Sequence, residues 1–184
     1  MNKKAVIDSK PDARKHKNYY HVLNSCMILE IEHGHLNWTM SQLSRLAKLP
    51  RSVLYYHYGN DRKELVFEAV RFFGKHLAGF DNDKLRLYSE KKYTDSIALS
   101  RKAFLNSPAI VLFYFLHRNS DGEVGDLIRY YEKLLLDKLK LFFPNCSEAE
   151  IEALSTIFLG ISISPYIKDN NGISNVLKIL KLAI

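Results

Sequence analysis

The chain has 184 residues, 47% of them hydrophobic, enough for one good core or two small ones, and a formal net charge of +7. No apolar run approaches the ~18 residues that span a bilayer, and the polar, basic Met1–Lys17 segment has no apolar signal stretch. No membrane partner and no secretory leader are therefore expected, and two distant cysteines, Cys26 and Cys146, outside any CxxC spacing, point to reduced thiols in the cytoplasm.

The charge is unevenly spread. Residues 1–65 hold 11 Lys/Arg against 6 Asp/Glu, and residues 66–184 hold 16 against 14. The excess lies where a polyanion would dock, although a merely solvated basic surface gives the same composition.

Taken in order, residues 1–15 read as a disordered basic arm, with Lys3, Lys4, Lys10, Arg14 and Lys15 around Pro11. Such an arm can lie along DNA phosphates or be an inert tail. Residues 16–33 form a first long helix with Tyr20, Leu23, Met27 and Ile31 on one face, and Gly34 fits the position just past its end. His35–Trp38 connects it to the next element, and Trp38 is expected to pack beneath that element.

Thr39-x-x-Gln42 is a capping box, opening a helix whose apolar face is Leu43, Leu46 and Ala47. Pro50 lacks a backbone donor and pushes Leu49 out of the α region, so this helix should stop near Lys48. A second short helix, about 51–57, buries Val53 and Leu54 and leaves Arg51, Ser52, Tyr55, Tyr56 and His57 outward. Helix, tight turn and a helix bearing cationic, hydroxyl and aromatic groups is the layout of a DNA-reading helix-turn-helix.

Tyr58-Gly59-Asn60 is a turn signal, and Asp61-x-x-Glu64 repeats the capping-box pattern to start a helix over 62–78 that buries Leu65, Val66, Ala69, Val70, Phe73 and Leu77, with Gly79 ending it. One or two helical turns follow within 84–90, then helices at 93–106, 108–118, 122–143, 148–168 and 173–183. Pro108, Asp121-Gly122, Pro144 and Asn170-Asn171-Gly172 separate them, and Pro165 should kink the fourth of these. With no alternating strand pattern and no internal repeat, the fold reads as all-α: a DNA-binding unit over 16–60 and a helical bundle over 61–184, which the 62–78 helix links.

Residues 39–65 resemble the TetR (tetracycline-repressor-like) family of bacterial transcription regulators. The resemblance rests on Thr39, on the turn Ala47-Lys48-Leu49-Pro50, on Leu54-Tyr55-Tyr56-His57-Tyr58 and on Asp61-Arg62-Lys63-Glu64-Leu65. Beyond these residues it extends along the chain only as architecture. Three departures stand out. Lys48 replaces the family's turn glycine and is expected at φ > 0, at a cost of roughly 1 kcal/mol. Pro50 replaces a capping serine, and the Gly59-Asn60 loop is one residue longer than usual.

Arg51 and Ser52 sit at the N-terminal end of the second motif helix, the end that meets base edges in a major groove. Arg51 suits a bidentate guanine contact, or else a phosphate contact or a surface ion pair. The resemblance implies backbone contacts from Tyr55, Tyr56 and His57, while Tyr58 takes the place of a core phenylalanine. Thr39, Ser41 and Gln42, with Lys48, Arg62 and Lys63, complete the candidate DNA-binding set.

The resemblance further implies that the bundle binds an effector and dimerises. Phe104, Phe113, His117, Tyr131 and Phe158 are the candidate lining for a small hydrophobic or amphipathic effector, although an aromatic stripe is more often core. Ile157, Gly160, Ile161, Ser164, Val176, Leu177 and Leu180 on the last two helices are the candidate homodimer interface. The seven histidines are scattered and no catalytic motif is present, so neither a metal, nor a cofactor, nor enzymatic activity is expected.

The expectation is a homodimeric, ligand-responsive regulator, a repressor, reading a pseudo-palindromic double-stranded operator. Two alternatives stay open: a regulator whose bundle docks a protein partner and binds no small ligand, and an all-α binding protein or enzyme with an incidental helix-turn-helix.

Overall fold

The computed structural model describes the backbone of residues 13–78 and 82–180, and the side chains of 18–75 and 83–180. The basic segment up to residue 12, the Gly79 stop and the chain beyond Leu180 lie outside the described residues. The described residues form ten helices and no strand, so the chain is all-α. No helix among them is long and apolar enough to cross a membrane.

The first is α1 (Ala13–His33), which begins three residues before the predicted start and so takes in the end of the expected arm. Two short helices follow, α2 (Met40–Leu46) and α3 (Arg51–Tyr58), and then α4 (Arg62–Ala78). These four enclose Trp38, which is fully buried together with Val22, Leu23, Cys26 and Met27 of α1, Leu43 of α2, Leu54 of α3 and Val66 of α4. Burial also pushes the Cys26 thiol pKa up, which keeps it a neutral, core-filling thiol.

α4 is the shared wall of the molecule, lying against α1 on one side and α8 on the other. The remaining helices are α5 (Asn82–Ser89), α6 (Tyr93–Asn106), α7 (Pro108–His117), α8 (Glu123–Phe142), α9 (Glu148–Ile163) and α10 (Asn170–Ile179). Phe73 of α4 stacks on Phe104 of α6 at 5.6 Å and on Tyr114 of α7 at 4.5 Å, so the buried side chains form one continuous core.

Two of the boundaries that differ from expectation do so for a clear local reason. α9 ends at Ile163, five residues early, because Ser164 precedes Pro165 and takes extended angles (φ −60°, ψ 127°). Pro165 thus terminates the helix and makes no kink. α10 starts at Asn170, inside the expected break, because the Asp169 carboxylate accepts from the Gly172 N–H at 2.9 Å.

Arg101 of α6 is buried and closes the end of α9. Its guanidinium donates to the carbonyls of Ser162 (3.3 Å) and Ser164 (2.7 Å), where the helix dipole favours a cation. Arg101→Met keeps the aliphatic bulk but leaves those carbonyls unpaired. It is expected to lower the unfolding free energy by about 1.5–3 kcal/mol, read as a shifted urea midpoint at unchanged m-value.

Candidate nucleic-acid interface

The segment 39–60 contains Arg45, Lys48 and Arg51 and no Asp or Glu. Its geometry starts from the predicted capping box. Gln42 N–H donates to Thr39 Oγ1 at 3.2 Å, and the Gln42 side-chain oxygen accepts from Thr39 N–H at 2.7 Å. At the other end of α2 the turn is tied twice: Leu49 N–H donates to the Ser44 carbonyl (3.1 Å), and the Ser44 hydroxyl donates to the Leu49 carbonyl (2.6 Å). Lys48 sits at φ +52°, the left-handed conformation expected of it. Pro50 stands before α3 with no side-chain cap, also as expected.

Leu54, fully buried, holds α3 to the core, with Val53 half-buried beside it. Arg51, Ser52, Tyr55, Tyr56 and His57 are all exposed, Tyr56 by 84%. Across the turn, Arg51 donates to the Ser41 hydroxyl at 3.2 Å, which joins the outward faces of α2 and α3. Arg45 is exposed one helical turn after Ser41 and belongs to the same face. It is absent from the predicted set, although the i, i+4 spacing from Ser41 carries the signal.

The connector before α2 is clamped from two sides. The Glu30 carboxylate, buried at the end of α1, accepts from Leu36 N–H (2.9 Å), from Trp38 Nε1–H and from His35 Nδ1 (2.9 Å). From the opposite side the Arg62 guanidinium donates to the carbonyls of Leu36 (2.8 Å) and Trp38 and lies 5.9 Å from the Trp38 ring. Leu36 itself is at φ +57°. Arg62 is thereby drawn into the scaffold, whereas the expectation placed it on DNA. Lys63, exposed, pairs with Glu123 at the start of α8 and lies over Phe67. A solvent-exposed pair of this kind is weak enough to exchange partners.

The second expected capping box forms only in half. Asp61 accepts from Lys63 N–H at 2.8 Å, but Glu64 turns away to Arg71 at 2.6 Å. Tyr58 is half-buried and stacks on Tyr19 at 6.4 Å. Burial first, and the Glu68 charge second, push the Tyr58 hydroxyl pKa up to about 12, so it stays a neutral phenol.

The structure does not bring the five candidate effector residues into one cavity. Phe104 and Phe158 border a gap of about 20 Å³, and Phe113 borders one of about 10 Å³, each too small for a ligand. His117 lies tilted against Phe113 at 4.2 Å, and burial holds its pKa below the usual histidine value. Tyr131 fills the space above Gly74, where a Cβ would come within 2.3 Å of its ring. A larger concavity lies elsewhere: an open cleft of about 670 Å³ between α7, α8 and α9.

Of the candidate interface residues, Ile161 and Leu177 are buried in the chain's own core and have no free face for a partner. The other five do: Gly160 and Leu180 are exposed, and Ile157, Ser164 and Val176 are half-buried. Ile179, 78% exposed, adds to this face. Comparison with protein-family models, with curated proteins and with solved structures finds no match. The functional reading therefore rests on the residues themselves.

Proposed function

We propose that the protein is a ligand-responsive, DNA-binding transcriptional regulator, acting as a homodimeric repressor and not as an enzyme, with the TetR-like layout that residues 39–65 resemble. One observation carries the reading: α2, α3 and the turn between them present Ser41, Arg45, Lys48, Arg51, Ser52, Tyr55, Tyr56 and His57 outward from a segment, 39–60, that itself contains no carboxylate, over a buried base. In this reading α3 enters a major groove with its N-terminal end toward the bases. Arg45, Lys48, Tyr55, Tyr56 and His57 meet phosphates, and Thr39 and Gln42 hold the entry angle of α2.

Two copies joined through the exposed faces of α9 and α10 place two α3 helices on a pseudo-palindrome. A ligand acts through α4, which lies against α1 and α8, by binding one arrangement of the copies more tightly than the other. A second reading, a bundle that docks another protein, draws on α7, where Leu112, Phe115 and Leu116 are exposed on a helix apolar on nearly every side.

Selection of bound duplexes from a random pool should enrich two symmetric half-sites. On the enriched duplex, Arg51→Ala is expected to weaken binding by about 1–3 kcal/mol, or roughly 5- to 150-fold, and to relax preference at one position of each half-site. An equal loss on every DNA sequence would refute base reading by Arg51 and assign it to a phosphate.

A further inference from the structure

The open cleft between α7, α8 and α9, at about 670 Å³, is within the size range of small-molecule sites. Phe115, Leu135, Leu136 and Leu159 supply its apolar surface. Its charged lining is Glu132, Glu152 and Arg118, two carboxylates against one cation, in a chain whose net charge is +7. Arg118 is already engaged: its Nε donates to Glu132 Oε1 at 2.9 Å, and its Nη1 lies 3.4 Å from Asn119 Oδ1. The Tyr114 hydroxyl donates to the same Oε1 of Glu132. Both bonds fall on one oxygen, which leaves Oε2 to accept from a ligand. Glu152, exposed on α9, makes no ion pair among the described residues.

These charges select the sign of a ligand. An anion meets two carboxylates and a guanidinium that is already spent, whereas a cation meets two acceptors. Glu132 is half-buried and fixed by its two donors, so it is oriented before a ligand arrives and loses little freedom in forming a charge-assisted hydrogen bond. On α9, Glu152, Ser155, Thr156 and Leu159 recur at i, i+3, i+4 and i+7 and so share one side of the helix. Leu154, Phe158 and Ile161 face the core, and Ile157, Gly160 and Ser164 lie on a third side. The cleft and the face offered to a second copy therefore do not compete for the same residues.

We infer that this cleft is the binding site for an amphipathic monocation, with an ammonium head at Glu132 and Glu152 and an apolar body along Phe115, Leu136 and Leu159. The site is joined to the DNA-facing unit through α8. Tyr131, the neighbour of Glu132, closes over Gly74 of α4, where there is no room even for a Cβ. A shift of α8 at the cleft is therefore passed to α4 and not absorbed between them. This deepens the proposed ligand response and rests on it for its regulatory meaning, but not for the site itself.

Calorimetric titration of the full chain at neutral pH with decylammonium, decan-1-ol and decanoate tests the site. Decylammonium should bind about ten-fold more tightly than the alcohol, and decanoate more weakly than either. With Glu132→Gln and Glu152→Gln combined, ammonium and alcohol should bind about equally. Thr156→Trp, which fills the cleft from an exposed position and keeps both carboxylates, should lower the affinity for both by about ten-fold or more. Absence of decylammonium binding to the unaltered chain, decanoate binding as tight as the ammonium, or an unchanged preference in the double variant would each overturn the assignment. If Glu132→Gln loses its helical circular dichroism, Glu152→Gln and Thr156→Trp decide: a weaker decylammonium affinity in both supports the site, and an unchanged affinity in either overturns it. Failure of decylammonium to bind, together with a change of sedimenting mass in Thr156→Trp, would assign the cleft to a contact between copies instead. DNA binding of the same preparation separates the two claims. Decylammonium binding without DNA binding keeps the site and removes the regulator, and the converse keeps the regulator and removes the site.

Discussion

Glu30→Ala is expected to lower the unfolding free energy by about 3–5 kcal/mol, because it removes a buried charged acceptor and leaves its donors without partners. The Glu30 side chain is 0% exposed and accepts from Leu36 N–H, Trp38 Nε1–H and His35 Nδ1. Alanine leaves the fully buried Trp38 indole unpaired and takes from the half-buried Leu36 amide its protein acceptor. It also frees the connector that carries Thr39, hence the start of α2. Glu30→Gln retains one carbonyl acceptor for the indole and should lose markedly less. Urea unfolding reads both variants. A loss below about 1 kcal/mol for the alanine variant would show that the connector is held by Arg62 and by the packing of Trp38 instead.

Leu54→Ala is expected to cost about 2.7–5 kcal/mol, the range for a leucine removed from a packed interior. Leu54 is the fully buried residue of α3, an eight-residue helix with no side-chain cap at its start. Isolated helices of that length are marginal in water, so α3 owes its position to this anchor. The variant should therefore lose DNA affinity on every sequence while most of the helical circular dichroism persists, since α6 to α10 pack independently of Leu54. Retention of full DNA affinity would mean that α3 is positioned by the turn alone. The contrast with Arg51→Ala is informative: one change removes the scaffold of the proposed recognition surface, the other a single contact on it.

What the chain reveals before its structure is known is mostly what depends on near neighbours. The Thr39–Gln42 box, the positive φ of Lys48 and the uncapped start at Pro50 all follow from residues within four positions of one another. The α6 limits of 93 and 106 coincide with the predicted ones for the same reason: Pro108 and the apolar spacing are local signals. The early stop of α9 was equally local, since the residue before Pro165 is excluded from the α region.

What stayed hidden is long-range. Glu30 and Arg62 are 32 positions apart and meet on one connector, which no periodicity announces. Arg62 reads as a DNA-facing cation until its two carbonyl partners are seen. Tyr131 reads as a pocket residue until it is found above Gly74, 57 positions away. Lys84 carries no local signal of burial, and only the packing of α5 against the bundle buries it. Ile161 and Leu177 carry the apolar signal of an interface and of a core alike, and burial decides for the core.

The most direct test of DNA regulation is the affinity of the full chain for the duplex upstream of its own gene, beside a scrambled duplex, across a range of salt concentrations. Binding to the upstream duplex should be the tighter. Its logarithm should fall linearly with log salt, at a slope near −0.9 per phosphate neutralised, and the Arg45, Lys48 and Arg51 surface requires several such contacts. Absence of binding to either duplex even at low salt would contradict the account, and the exposed cationic face of α2 and α3 would then be only a solvated surface.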